Sequence, residues 1–194
     1  VHARGQVARF STGRALDATR VPHALNAHLP EDVVVIGAEP AAAAWHPIGA
    51  ATGKRYRYTF RVAEFDDPFV GRYVHRIPSP LDLDAMRRAA SHLRGRRDFA
   101  PFQRSGSPRE KTVRTLARLD VVSEGEYIHL DFVGDGFLYG MARNLAGTLC
   151  RVGRRELDPD VLPSALDALD PRVAGPCLPA QGLCLMQVYY GADA

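Results

Sequence analysis

The chain has 194 residues, 46% of them hydrophobic, and a formal net charge of +3, enough to bury a core as one large domain or two small intertwined ones. No apolar run approaches the roughly 18–20 residues that cross a bilayer, and Cys150, Cys177 and Cys184 form no CxxC pair. These features argue against a membrane anchor, a disulfide framework and a cysteine zinc site, and read as reduced thiols of a cytosolic protein.

The first stretch, "VHARGQVARF", has no initiator Met and places apolar Val1, Val7 and Phe10 behind no cap or turn signal, as though the true beginning lay further upstream. "VPHALNAHLP" reads as a helix end running into a turn at Pro30, and "DVVVIGAEP" as a buried strand. "KRYRYTFRV" is a strand that interleaves basic and aromatic residues. "LDLDAMRRAASHLRG" carries an Asp cap, an apolar face of Leu83, Met86, Ala90 and Leu93, and Gly95 as a stop, which predicts a helix. "KTVRTLARLDVV" and "YIHLDFVG" alternate as strands and meet at "SEGE", a hairpin. Phe137, Met141, Leu145, Leu149 and Val152 recur at helical spacing through "GFLYGMARNLAGTLCRVG". "LDPDVLPSALDAL" holds a shorter helix, and "GLCLMQVYY" closes the chain as an alternating strand. Hairpin-joined strands with interspersed helices give an α+β fold on a mainly antiparallel sheet.

Charge is unevenly distributed. Between Arg87 and Arg118 ten basic residues face only Asp98 and Glu110, a local +8 that leaves −5 for the rest. Such a block suits a surface that meets phosphates, or a solvated helix face in an Arg-rich protein with 23 Arg and 2 Lys. Histidines are scattered without HExxH or a pair one helical turn apart, so no metal is expected. There is also no GxSxG elbow, phosphate loop or dinucleotide fingerprint. Tyr56 and Tyr58 share one face of their strand and Arg55 and Arg57 the other. The tyrosines fit either RNA bases or a core. Arg143 stands in the apolar stretch "FLYGMARNLAG", four residues after Tyr139 and so on the same face of the expected helix, where a guanidinium needs an acid partner.

The blocks "VHARGQVARF", "LNAHLP", "KRYRY", "DFAPF", "TVRTL", "GFLYGMARNLAGTL" and "GLCLMQVYY" resemble, in order and spacing, the tRNA pseudouridine synthase A family. That resemblance implies a pseudouridine synthase fold with two similar subdomains. Residues 1–62 would be the remainder of the N-terminal one, 63–80 a connecting segment and 81–194 the C-terminal one. It implies isomerisation of uridine to pseudouridine in the anticodon stem-loop of tRNA, with no cofactor or metal, by a cytoplasmic homodimer. The family carries Arg-Thr-Asp-Ala-Gly immediately before "VHA", and its Asp is the nucleophile. The resemblance therefore implies that this chain lacks the nucleophile and is inactive alone. Arg143 would pair with that Asp, Tyr56 would lie against the target base, and Arg55, His46, Ser107, Arg109 and Lys111 would contact the RNA. Two departures stand out: Ile48 in "WHPIG" replaces an Arg, and Cys184 replaces a common Tyr. The rival readings are a non-catalytic RNA- or tRNA-binding protein and an inactive paralogue.

Overall fold

A computed structural model describes residues 1–104, 106 and 111–191. They group into two compact units, Val7–Ala50 and a larger one of Val1–Gln6 with Ala51–Ala194.

In the smaller unit, Asp17 accepts hydrogen bonds from the Thr19 amide and hydroxyl at 3.0 and 2.7 Å. This opens a tight turn that runs into helix α1 (Val21–Asn26). Pro22 sits in the first turn of the helix, where a missing N–H costs nothing. The helix gives way before the turn at Pro30, whose carbonyl accepts from the Val33 amide at 3.0 Å. The buried strand expected in "DVVVIGAEP" is not there: residues 32–40 join no ladder, and Val34 and Ile36 are 66% and 87% exposed. The Asn26 side chain instead donates to the Val35 carbonyl at 3.0 Å and accepts from its amide at 2.8 Å. A β-branched run has the propensity for a strand, but only a partner backbone makes it one.

The larger unit is built on β1 (His2–Ala3), β2 (Ala51–Val62), β3 (His75–Ile77), β4 (Gly95–Asp98), β5 (Val113–Glu124), β6 (Tyr127–Gly134) and β7 (Leu183–Tyr190). Among the described residues these form one sheet in the order β1-β7-β2-β6-β5-β4, with β3 beside β2. Four pairings are antiparallel; β1–β7 and β2–β3 are parallel. With its helices this is the expected α+β class. The hairpin falls at "SEGE", where Gly125 has φ +59° and supplies the left-handed residue that the turn needs.

Helices α2 (Leu83–His92), α3 (Met141–Gly153) and α4 (Leu162–Asp167) belong to the same unit. The Asp82 side chain caps α2 by accepting from the Ala85 amide at 3.0 Å. Met86, Ala89, Leu145 and Leu149 from the helices share a core with Tyr58, Phe60, Leu119, Leu130 and Phe132 from the sheet. Helix α3 begins at Met141, later than its apolar spacing suggests, because Gly140 turns the chain with φ +76°. Tyr139 therefore lies ahead of the helix and does not share its face with Arg143. Further along α3, Gly147 packs directly on the 175–176 backbone, and the Pro176 carbonyl oxygen leaves no room there for a Cβ.

Candidate active site

Strand alternation turns Tyr56, Tyr58 and Phe60 toward the helices and Arg55 and Arg57 to the other face. Tyr58 is fully buried, and its hydroxyl donates to the Pro179 carbonyl at 3.0 Å. Gly182 lies so close that a Cβ would come 2.5 Å from the Tyr58 ring. Burial drives this phenol far above its ordinary pKa, and the positive charge of Arg143 pulls in the opposite direction. Tyr58 is thus a core residue that ties β2 to the 178–182 segment. Tyr56 sits at the edge of the core, half-buried and edge-on to Phe137 with ring centroids 5.0 Å apart. Burial raises its phenol too, so it stays protonated at neutral pH and can donate a hydrogen bond.

Arg143 lies in the first turn of α3, half-buried, with Nε donating to the Leu178 carbonyl. Among the described residues no acid forms an ion pair with it. Its other nitrogens can therefore take a carboxylate or a phosphate beside Tyr58, where burial strengthens the charge.

Arg55 and Arg57 converge on Asp131, which is 1% exposed and stands opposite Arg57 in the β2–β6 register. Arg57 spans both carboxylate oxygens, at 2.7 and 3.1 Å, and Arg55 reaches Oδ1 at 3.1 Å. Burial alone would raise the Asp131 carboxyl, but the hydrogen bonds and charges of Arg57 and Arg55 outweigh it and hold it below the ordinary carboxylate range. Arg55 is thus committed to an internal ion pair on the face away from Tyr56. Asp131 belongs to no motif that marks it in the sequence. Its signal was an acid opposite a basic residue in a strand whose other face is aromatic.

His46 is exposed in the smaller unit, and its Nδ1 accepts from the Ile48 amide at 3.2 Å. Lys111 is exposed, and its carbonyl accepts from Arg114 at 3.0 Å. Ser107 and Arg109 lie outside the described residues. The basic block is not one bare patch. Arg87 pairs with Asp84, Arg94 and Arg118 with Asp120, and Arg97 with Asp167 at 4.0 Å. Among the described residues no helix is long and apolar enough to cross a membrane.

Comparison with known proteins identifies the chain's relatives. A family profile described as tRNA pseudouridine synthase matches residues 89–191. A protein of Moorella thermoacetica named tRNA pseudouridine synthase A is 43% identical over 190 residues, covering 98% of this chain and 77% of the relative. Proteins of the same name from Pelobacter propionicus and Geobacter sulfurreducens are 41% and 40% identical, each covering 98% of this chain and 78% of the relative.

Proposed function

We propose, for this chain, which belongs to the tRNA pseudouridine synthase family, a role in isomerising uridine to pseudouridine in tRNA at a site that includes Tyr56 and Arg143. The observation that carries this reading is Arg143 itself: a half-buried guanidinium beside Tyr58, with no acid partner among the described residues. A carboxylate held there would be kept ionised and aimed, as a nucleophile at a ribose carbon requires. The reaction breaks the N1–C1′ bond, turns the uracil and joins C5 to C1′; C5 loses a proton and N1 gains one. Atoms balance without a co-reactant, so the protein must supply position, the carboxylate and proton handling. Tyr56, protonated and packed by Phe137, would lie against the uracil, which must leave its stack to arrive.

By the family resemblance, the carboxylate would come from the Asp of the Arg-Thr-Asp-Ala-Gly motif ahead of "VHA". The sheet supports this. β1 pairs in parallel with β7 at Cys184 and Leu185, so the chain enters β1 alongside the 178–182 segment that Arg143 and Tyr58 both contact. Restriction to the anticodon arm, a cytoplasmic location and a homodimer that shares one tRNA surface belong to the same reading and rest on the family resemblance. The test is tritium release from C5-labelled tRNA. Protein expressed from the complete reading frame is expected to turn over without added metal or nucleotide, and residues 1–194 alone are expected not to. Turnover by residues 1–194 alone would refute the assignment of the carboxylate; none by either protein would refute the activity.

A further inference from the structure

Tyr139 is 57% exposed, although the segment around it is apolar and its neighbours Phe137 and Leu138 pack inward. The reason is the turn at Gly140, whose φ of +76° sends the chain into α3 and leaves the Tyr139 ring outside. Arg104 is fitted to this turn. Its amide donates to the Tyr139 carbonyl at 2.9 Å, and its Cβ lies 2.9 Å from where a side chain at Gly140 would begin. Its guanidinium carbon stands 5.6 Å from the centroid of the Tyr139 ring. Arg104 is exposed, and among the described residues no acid pairs with it. An aromatic ring held in a fixed plane by a cation is a poor use of apolar surface in a core but a ready platform for a nucleobase. RNA bases stack on tyrosine rings and on arginine planes, and a free guanidinium can also take a phosphate oxygen.

The platform is joined through the chain to the ring that packs on Tyr56. Two residues before Tyr139, Phe137 makes the edge-on contact with Tyr56, so one short segment turns one aromatic ring toward Tyr56 and the next outward. A uridine that leaves its stack to reach Tyr56 strips one face of the base beside it. We infer that Tyr139 and Arg104 form a stacking subsite for the nucleobase adjacent to the target uridine, with Arg104 also bonding that nucleotide's phosphate. This rests on the proposed function for the location of the target base.

The experiment uses protein expressed from the complete reading frame and an anticodon-arm RNA carrying 2-aminopurine next to the target uridine. Binding is expected to quench the fluorophore in the wild type and in Tyr139→Phe. The quench should be lost in Tyr139→Ala and in Tyr139→Leu, which keeps bulk without a ring plane. Affinity should fall about tenfold in both of the latter variants, the scale of one lost base–aromatic stack. Arg104→Ala should weaken binding and flatten its salt dependence by about one unit of slope, with Arg104→Lys retaining the slope. Quenching that persists in Tyr139→Ala, or an affinity unchanged within about twofold where a stack should count for more, overturns the subsite. Pseudouridine formation is followed in the same samples. If the wild type forms none while the quench and its loss in Tyr139→Ala hold, the proposed function falls and the stacking platform stands.

Discussion

Replacing Asp131 with Asn removes the one anion that two arginines share while keeping its shape. Breaking a buried ion pair from one side costs about 3–5 kcal/mol when the orphaned charge stays dry. Here the Arg55 and Arg57 side chains are 29% and 28% exposed and can recover some water, so the cost falls to about 2–3 kcal/mol. For a chain of this size that lowers Tm by about 4–12 °C. The loss must depend on pH. The folded carboxyl lies below its reference value of 3.8, so its contribution is complete above that value and fades as pH drops through the folded pKa. Asn carries no such dependence. Thermal unfolding followed by circular dichroism at pH 7 and again well below pH 3.8 should show the wild type and Asp131→Asn far apart at neutral pH and converging in acid. An equal gap at both pH values would mean that Asp131 acts through packing and not charge, and would refute the shared ion pair.

In the protein from the complete reading frame, Arg143→Ala should lower kcat by about two orders of magnitude, the scale of a lost electrostatic stabiliser, and Arg143→Lys by less. tRNA affinity should change little in either, and a loss of binding equal to the loss of rate would make Arg143 an RNA contact instead. Gly182→Ala forces a Cβ to within 2.5 Å of the Tyr58 ring and should cost about 1–3 kcal/mol in denaturant unfolding. Tyr58→Phe should cost only about 1 kcal/mol, for its bond to Pro179, measured the same way. Replacing both Arg109 and Lys111 with Ala should reduce the salt slope of tRNA binding by about two units; an unchanged slope in filter binding would mean that neither meets a phosphate.

What the sequence determined by itself was local or repetitive in origin. The alternation of "KRYRYTFRV", the hairpin at "SEGE" and the Asp82 cap were legible because each depends on neighbours a few residues away. The family was legible from the order of its blocks. Tertiary structure decided the rest, because the deciding partners are remote in sequence. Tyr56 and Tyr58 have the same periodicity, yet Tyr58 is sealed by Pro179 and Gly182 while Tyr56 stays at the rim beside Phe137. Alternation puts Arg55 and Arg57 on one strand face, but only the fold brings Asp131, more than seventy residues on, between them. "DVVVIGAEP" has a β-branched run and forms no strand, since a ladder needs a second backbone and among the described residues the Asn26 side chain takes both backbone groups of Val35. The apolar spacing through "GFLYGMARN" could not reveal that Gly140 breaks it, because a left-handed glycine is chosen by the chain that packs around it, here Arg104.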